Sequence, residues 1–242
     1  MKFLLTTALA IVFGGLSSAQ VSIAFDAEDP PFMYAKDSQP AGLYPAIFKA
    51  AFVRMGVAAN QQSLPWKRAL AGIDTGSIGV GGIYQNTDRL AKYDFSQAYF
   101  EERLAIFCFK GKEIAFTKLD DLYGKMVGVI SGWSYGDDFD AAVKAGKIKV
   151  DPTDGDESNI TKLVHGRLDA VLAIVESGDA AIKAQGVSDK VVRLPNLMTV
   201  NKVYLAFNKS ADEKALLSDF DKAIAAMKSD GSFDKIVAES FK

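Results

Sequence analysis

The chain has 242 residues and 49% of them are apolar, which is enough to bury one large core or two smaller ones and excludes a disordered protein. Its formal net charge is -2 and its pI is about 5.5. No global attraction to nucleic acid or anionic lipid follows from such a charge, so we expect no nucleic-acid partner.

The first 19 residues have the pattern of a secretory signal peptide. Lys2 supplies a positive charge, residues 3–13 are apolar, and small residues lead to Ala19. A membrane anchor would need about 20 apolar residues, and this run stops at Gly14. We therefore predict cleavage after Ala19, a mature protein that begins at Gln20, and a periplasmic location.

Cysteine and histidine usage gives further expectations. Cys108 is the only cysteine, so the chain cannot form an internal disulfide, and its apolar surroundings "AIFCFK" predict a buried strand residue. The predicted cleavage site has no cysteine, so we expect no lipid-anchored product. His165 is the only histidine and precedes a glycine at a helix end, so we expect no metal site around it.

Short strands and helices alternate along the mature chain. Residues 21–25 alternate in polarity and predict a strand, which the loop "AEDPPFMY" ends. A helix is predicted from Pro45 to Gly56, and a second begins near Pro65 after a Ser63 cap. Further on, the predicted strands are "KMVGVI", "KIKV" and "LDAVLAIV", and the predicted helices are "GDDFDAAVKAG", "ESNITKLVHG" and "ESGDAAIKAQG". This alternation indicates an α/β fold.

Two apolar segments are candidates for strands that cross between lobes. They are "RLAIFCFK" at residues 103–110 and "KVYLAFNK" at residues 202–209. Two crossings predict two lobes on a two-strand hinge, with a small-molecule site in the cleft between them. The last helix, from about Ala211 to Lys228, then packs on the N-terminal lobe, which becomes discontinuous in sequence. The pattern by itself is also compatible with other α/β topologies.

Six ordered segments resemble the bacterial extracellular solute-binding proteins of the polar amino-acid uptake type (family 3), which are partners of ABC transporters. They are "DPPFMY", "PWKRALAGIDTG", "GGIYQNTDRLAKYDFSQAYF", "LDDLYGKMVGVISGWSYG", "HGRLDAVLA" and "MKSDGSFDKIV". The resemblance covers essentially the whole mature chain. It implies a two-lobed Venus flytrap fold of type II, with hinge crossings near residues 99–103 and 202–206.

The implied lobes are residues 20–100 with 205–242, and residues 101–204. The implied function is to capture a small carboxylate-bearing ligand, an amino acid or close analogue, and to deliver it to the membrane permease of an ABC transporter. We expect a monomer without a cofactor or a metal ion.

Arg89 matches the family arginine that binds the ligand's α-carboxylate. A guanidinium can meet a carboxylate with two parallel charge-assisted hydrogen bonds. Gly82 matches a position of backbone contact, and Asn86 stands where the family usually has threonine. The alternative is a surface arginine paired with Asp88 or Asp94.

The segment "GWSYGDD" matches the facing loop of the second lobe, whose backbone N–H groups and small hydroxyl meet the same carboxylate. Gly132, Trp133, Ser134 and Tyr135 would precede a helix N-terminus, where anions bind readily. The alternative is ordinary helix capping, in which Ser134 or Asp137 satisfies the first turn.

Two aromatic residues, Trp66 and Tyr84, are candidates for the cleft wall, since aromatic faces can cover a ligand's carbon chain. Trp66 also fits a helical core stripe with Leu70. The acids Glu28 and Asp29 are either solvated loop residues or attract a positive group of the ligand.

The resemblance fails at one position. In the family an acid after the "DAVLA" strand receives the ligand's α-ammonium, and here that position is Ile174. A buried ammonium without a partner would cost several kcal/mol. Glu176 could replace the acid if the strand continues, Asp29 could do so from the other lobe, or the ligand lacks an α-ammonium. We favour the first two possibilities together.

Two other functions compete with transport. A few relatives of this fold are secreted dehydratases or cell-wall lyases, but the chain has no Ser-His-Asp order, HExxH motif or phosphate loop. We therefore predict a binding protein rather than an enzyme. A ligand-sensing subunit for a membrane receptor would use the same outer faces, and the sequence does not separate it from a transport protein.

Overall fold

A computed structural model describes residues 20–241, so the predicted signal peptide lies outside the described residues. The strands in this range are β1 (Val21–Asp26), β2 (Glu28–Asp29), β3 (Met33–Lys36), β4 (Gln39–Ala41), β5 (Ala59–Leu64), β6 (Gly79–Ile83), β7 (Tyr93–Phe95), β8 (Phe100–Phe109), β9 (Met126–Ile130), β10 (Lys149–Thr153), β11 (Ala170–Ile174), β12 (Val191–Arg193) and β13 (Thr199–Asn208).

The helices in the same range are α1 (Leu43–Met55), α2 (Trp66–Asp74), α3 (Thr87–Lys92), α4 (Asp137–Lys144), α5 (Asp156–Val164), α6 (Val175–Ala184), α7 (Lys214–Ser229) and α8 (Ser232–Ser240). None of these helices combines the length and the apolarity that a membrane crossing needs.

One mixed sheet runs through the molecule in the strand order β10-β9-β11-β8-β13-β6-β1-β5. Its two ends are parallel, because β1 pairs in parallel with β5 and β6, and β9 does so with β10 and β11. The long strands β8 and β13 are antiparallel and pair with each other in the middle. A separate small sheet, β2-β3-β4, follows β1.

The two long strands join two lobes. Strand β13 pairs with β8 over residues 199–203 and with β6 and β7 over residues 204–208. Lobe 1 contains β1 to β7, α1 to α3, α7 and α8, and lobe 2 contains β9 to β12 and α4 to α6. The two-lobed α/β fold is thus confirmed, while the predicted lobe bounds at residues 100/101 and 204/205 stay a prediction.

Each lobe has its own apolar core. In lobe 1, α1 packs on α7, and the rings of Phe48 and Phe220 lie 4.8 Å apart. In lobe 2, all five residues of β11, which lies between β9 and β8, are buried. Cys108 is fully buried in β8, as the sequence predicts.

Three predicted boundaries were wrong. The last helix begins at Lys214, and a further helix, α8, follows after Gly231, whose positive φ of 77° ends α7. Ser63 belongs to β5 and donates to the Tyr34 carbonyl, so it does not cap α2. Strand β11 ends at Ile174, because the chain turns into α6 at the next residue.

Candidate ligand-binding cleft

Arg89 lies in the cleft between the lobes. It is only 8% exposed, and its Nη1 donates to the Tyr84 carbonyl at 2.9 Å while its Nη2 donates to the Gly132 carbonyl of lobe 2 at 3.1 Å. Its guanidinium also lies 5.9 Å from the ring centroid of Trp66. The alternative of a surface salt bridge is therefore wrong: within residues 20–241 Arg89 contacts no carboxylate closely enough for an ion pair.

The guanidinium has donors to spare. Arginine carries five N–H donors, and the two carbonyls account for one each of Nη1 and Nη2. Burial lowers the pKa of Arg89 from its usual value, but arginine stays protonated in proteins. A buried, charged and partly unsatisfied guanidinium at a lobe boundary can bind a carboxylate.

Asn86 and Gly82 support the local structure around Arg89. The Asn86 side chain caps α3 by accepting from the Arg89 backbone N–H at 2.8 Å, which leaves its amide NH₂ as a donor. The Gly82 N–H donates to the Tyr99 hydroxyl at 3.1 Å. A Cβ on Gly82 would lie 2.5 Å from the Met33 sulfur, and its φ is 78°, so packing and backbone conformation both require glycine there.

The facing loop of lobe 2 is tied down by its own hydrogen bonds. The Ser134 hydroxyl donates to Asp140 at 2.5 Å, and the Tyr135 hydroxyl accepts from the Ile130 N–H at 2.7 Å. The Trp133 indole N–H crosses the cleft and donates to Asp26 at 3.0 Å. The first turn of α4 already carries three aspartates, which leaves its N-terminus less suited to a further anion than the sequence predicts.

Several hydrogen bonds near Arg89 close the cleft. The Trp66 indole N–H donates to the Gly132 carbonyl at 3.0 Å, so Trp66 and Arg89 share that acceptor. Thr87 donates to Asp137 of lobe 2 through its backbone N–H at 3.2 Å and its hydroxyl at 2.8 Å. Asp137 therefore binds the start of α3 across the cleft instead of capping its own helix.

The two predicted wall residues, Trp66 and Tyr84, lie together with Trp133 at this boundary. The Trp133 ring is 6.3 Å from Trp66 and 6.0 Å from Tyr84 in edge-on arrangements. All three rings belong to the cleft, although Trp66 also packs in a core cluster with Ala69 and Ile73.

At the other end of the cleft, Asp29 of lobe 1 contacts lobe 2. Its side chain is 1% exposed, and Oδ1 accepts from the Ser177 hydroxyl in the first turn of α6 at 2.6 Å. Oδ2 has no hydrogen-bond partner within residues 20–241. Asp156, the first residue of α5, is also buried, and its Oδ1 has no partner in the same range. We call Asp29, Asp156 and Ser177 the acid end of the cleft.

Burial raises the pKa of Asp26, Asp29 and Asp156. It raises the pKa of Asp26 to about 6 and that of Asp156 to about 7. The pKa of Asp29 lies well above its usual value because of burial and of the neighbouring charges of Glu102, Asp156 and Asp26. These mutual effects indicate that the four carboxyl groups lie near one another.

Glu102 belongs to the hinge strand β8. It accepts hydrogen bonds from the Tyr44 and Tyr84 hydroxyls, one on each oxygen. Burial raises its pKa to about 7. Both of its oxygens are thus satisfied by lobe 1, in contrast to those of Asp29.

Glu176 does not face the cleft as a strand residue would. Since β11 ends at Ile174, Glu176 lies in the first turn of α6, and its Oε1 is 2.5 Å from Nη2 of Arg103. Its side chain remains 30% exposed. The condition under which Glu176 would replace the missing acid is not met, and Asp29 remains the better-placed of the two candidates.

Sequence reasoning missed Asp26, Glu102, Asp156 and Ser177. Asp26 gives a usable signal, because it ends the largely apolar strand β1. Glu102 gives a weaker one, because it lies between Glu101 and Arg103 at the charged start of β8. Asp156 and Ser177 resemble ordinary first-turn helix residues. Only the closure of the two lobes reveals that they meet Asp29.

Two cavities follow the boundary between the lobes. One of about 490 Å³ is lined by Glu28 and Pro30 of lobe 1 and by Asp156 and Ser177 of lobe 2. The other, of about 310 Å³, is lined by Asp26 and Trp66. Both include Glu28 and Asp154 in their walls. Volumes of this size suit a small organic ligand.

Two α/β lobes on a two-strand hinge, with a buried guanidinium and buried acids in the cleft, define a two-lobed solute-binding protein. The family model for bacterial extracellular solute-binding proteins, family 3, matches residues 21–242. The chain belongs to this family.

Individual relatives agree with this assignment. The chain is 27% identical to the L-cystine-binding protein TcyJ of Escherichia coli (strain K12) over 88% of this chain and 79% of that protein. Among solved structures, it matches an ancestral arginine-binding protein bound to arginine with a TM-score of 0.78 and 27% identity, covering 92% of this chain and 98% of that one. A histidine kinase sensor domain with similarity to periplasmic binding proteins matches at a TM-score of 0.80 and 19% identity, covering 91% and 95%.

Proposed function

We propose that this protein captures an amino acid or a close analogue in its interlobe cleft and delivers it to the permease of an ABC transporter. The observation that carries the proposal is the presence of a buried guanidinium, Arg89, and a buried, half-satisfied carboxylate, Asp29, in one cleft. An amino acid presents the complementary pair of charges on one carbon atom. Relatives named for cystine and arginine binding support the ligand class.

The ligand's carboxylate binds Arg89 through the guanidinium N–H groups that the two carbonyls leave free. The Asn86 amide, which is not used in capping α3, is the second donor within reach of that anion. Gly82, Ser134, Trp133 and Tyr135 shape the site and hold the facing loop instead of supplying its main charges.

The α-ammonium binds Asp29, which takes the role that Ile174 cannot fill. Oδ1 of Asp29 already receives the Ser177 hydroxyl, and Oδ2 is free to accept. Glu176 contributes through Arg103 on the hinge rather than by direct contact. Trp66, Tyr84 and Trp133 cover the ligand's carbon chain.

The proposal also covers the location and the oligomeric state of the mature protein. The signal peptide is cleaved after Ala19, and the mature protein works as a monomer in the periplasm. Its lobes, residues 20–100 with 205–242 and residues 101–204, open and close on the hinge to admit and hold the ligand. Binding leaves the ligand chemically unchanged, since we propose no catalytic role for any cleft residue.

A second candidate is a ligand-sensing role at a membrane receptor. The similarity to a histidine kinase sensor domain favours it as the runner-up, although at 19% identity that likeness concerns the fold. Both roles require the same cleft and the same closed form.

The proposal is tested by calorimetry with the twenty L-amino acids, each compared with its keto-acid or hydroxy-acid analogue. We expect micromolar binding of at least one amino acid and recovery of that compound unchanged after long incubation. Tight binding of a carboxylate without the amine, with amino acids inert, would refute the amino-acid assignment. Conversion of the bound compound would instead identify an enzyme.

A further inference from the structure

Glu102 is a buried carboxyl group in the hinge. It lies in β8 where this strand pairs with β13, and it is 2% exposed. Within residues 20–241 no lysine, arginine or histidine forms an ion pair with it. A buried acid without a counter-charge depends on the hydrogen bonds that it accepts. The groups that donate to Glu102 therefore determine how well the hinge tolerates it.

Two tyrosine hydroxyls donate to Glu102, one to each carboxyl oxygen. Tyr44 belongs to α1 and is fully buried in the core of lobe 1. Tyr84 follows β6 at the boundary with lobe 2, where its ring lies 6.0 Å from that of Trp133. Tyr44 is thus the fixed partner of Glu102, and Tyr84 is the partner that a movement of the lobes can displace.

Tyr84 also contacts the proposed carboxylate-binding residue. Its backbone carbonyl accepts from Nη1 of Arg89 at 2.9 Å, while its hydroxyl donates to Glu102. A tyrosine side chain has only two rotatable angles, so holding its hydroxyl restricts the backbone that orients Arg89. Tyr84 therefore joins the hinge acid to the guanidinium.

A third donor lies on the other hinge strand. Asn201 in β13 is directly opposite Glu102 in the register of the two strands. Side chains in such a pair lie on the same face, with Cβ atoms about 4.5–5.5 Å apart. Nδ2 of Asn201 is buried and has no hydrogen-bond partner in the part of the chain that the structure describes. An unpartnered buried donor destabilises the form that contains it, so Asn201 disfavours the closed form.

We propose that Glu102 is a positioning residue that acts on Arg89 through Tyr84, and that Asn201 replaces Tyr84 on Glu102 when the lobes open. In the closed form, Tyr84 links the hinge acid to the guanidinium. In the open form, Asn201 donates to Glu102 and Tyr84 is released. The exchange keeps Glu102 satisfied in both forms and couples the hinge to the site. Only the role of Arg89 rests on the proposed function.

Two conservative substitutions should shift the ligand-free protein in opposite directions. Tyr84→Phe removes a donor of the closed form and should favour the open form. Asn201→Leu removes the donor of the open form, together with the unpartnered amide of the closed form, and should favour the closed form. Each should change the ratio of open to closed molecules by about twofold to tenfold, the range expected for one hydrogen bond.

Small-angle scattering measures this ratio through the radius of gyration. Tryptophan fluorescence gives a second readout, because Trp66 and Trp133 are the only tryptophans and their rings lie 6.3 Å apart across the boundary. The matched control is Lys202→Leu, which changes the next residue of β13, exposed on the opposite face. It should leave both readouts unchanged. Circular dichroism and thermal unfolding establish that each variant is folded.

A third variant removes the shared acceptor. Glu102→Met replaces the buried acid by an apolar side chain of similar volume, a change that folded proteins often tolerate. Because Tyr84 and Asn201 compete for Glu102, adding Asn201→Leu to Glu102→Met should change the ratio by less than about twofold.

The positioning of Arg89 has its own readout, the ¹⁵N–¹H NMR signals of its guanidinium, assigned by their loss in Arg89→Lys. Tyr84→Phe keeps the carbonyl that Arg89 contacts and removes only the link to Glu102. We expect separate N–H signals in the wild-type protein and averaged signals in Tyr84→Phe and in Glu102→Met. Wild-type signals in both variants would overturn the positioning role.

The scattering results decide the exchange of partners. Opposite shifts in Tyr84→Phe and Asn201→Leu that vanish without Glu102 support it. Shifts of the same sign, no shift in either variant, or an Asn201→Leu shift that persists in Glu102→Met overturn it. None of these measurements uses a ligand, so failure of every amino acid to bind would overturn the proposed function and leave the exchange intact.

Discussion

The two ends of the cleft differ in how far their buried hydrogen-bonding groups are satisfied. Around Arg89, the hydrogen-bond donors and acceptors of the closed protein pair with one another. The carbonyls of Tyr84 and Gly132 accept hydrogen bonds from two of the guanidinium N–H groups. At the acid end, Oδ2 of Asp29 in lobe 1 and Oδ1 of Asp156 in lobe 2 have no hydrogen-bond partner in the described part of the chain. The Arg89 end can close without a ligand, whereas closure of the acid end is complete only with one.

The two ends therefore contribute differently to lobe closure. Contacts that form without a ligand, such as those of Trp66 and Thr87 to lobe 2, lower the free energy of the closed form in all conditions. Contacts that need a ligand make closure selective, because a ligand shifts an equilibrium only by its differential affinity for the two states. We therefore expect the acid end to determine which compound closes the protein.

The largest effect is expected from Arg89→Ala. It removes the proposed partner of the ligand's carboxylate and the one Arg89 hydrogen bond that spans the cleft, to the Gly132 carbonyl, so binding should weaken by about 2–5 kcal/mol, or roughly 30-fold to several thousand-fold. Arg89→Lys should recover only part of the lost binding free energy, since an ammonium lacks the parallel N–H donors of the planar guanidinium. Calorimetry measures both. Near-native affinity in Arg89→Ala would remove this residue from the site.

A smaller but still large effect is expected from Asp29→Asn. The substitution keeps the shape of the side chain and its contact to Ser177 but removes the charge that receives the α-ammonium, so amino-acid binding should fall at least tenfold, about 1.4 kcal/mol. Glu176→Gln is the matched comparison. It should change affinity by less than about threefold, because its carboxylate pairs with Arg103 and is partly exposed. The reverse order of effects would return the ammonium to Glu176.

Closure of the ligand-free protein should depend on pH. Burial raises the pKa of Asp26 to about 6 and those of Glu102 and Asp156 to about 7. A raised carboxyl pKa stabilises the closed form fully at low pH, and this stabilisation is lost as the pH rises from the usual values near 4 through the raised values. The ligand-free protein should therefore be more closed at pH 5 than at pH 8.

Small-angle scattering without ligand measures that change as an increase in the radius of gyration between pH 5 and pH 8. Asp156→Asn should reduce the increase, because it removes one of the titrating groups. A radius of gyration that stays constant across this range in the wild-type protein would show that the buried acids do not oppose closure.

The smallest effect on ligand affinity is expected at the exposed rim of the cleft, where Thr87 contacts Asp137. Thr87→Val removes the 2.8 Å hydrogen bond to Asp137 but leaves the backbone contact at 3.2 Å. Both groups are exposed, so ligand affinity should change by less than about 1 kcal/mol, or roughly fivefold. Titration calorimetry showing a larger loss than Asp29→Asn would mean that the rim, not the acid end, controls closure.

The sequence predicts the architecture well because its signals are local. Alternating strands and helices, two long apolar crossing strands and the segment around Arg89 can all be read from short windows. The errors arise where the chain changes direction: β11 stops at Ile174 instead of continuing to Glu176, and Ser63 extends β5 instead of capping α2.

The acid end was only partly predictable for a different reason. Asp29 was a candidate because it lies in a loop that opens on the cleft. Asp156 and Ser177 lie about 130 and 150 residues further along the chain and have the appearance of normal helix starts. Their chemistry arises from the burial that lobe closure imposes, and no local pattern records it.

The proposed site can be seen directly in a crystal structure of the protein with the amino acid that calorimetry shows to bind most tightly. We expect closed lobes, with the ligand's carboxylate on Arg89 and its α-ammonium on Asp29. A bound ligand whose carboxylate lies elsewhere, with Arg89 still held only by the Tyr84 and Gly132 carbonyls and no ligand nitrogen near Asp29, would contradict the proposed site.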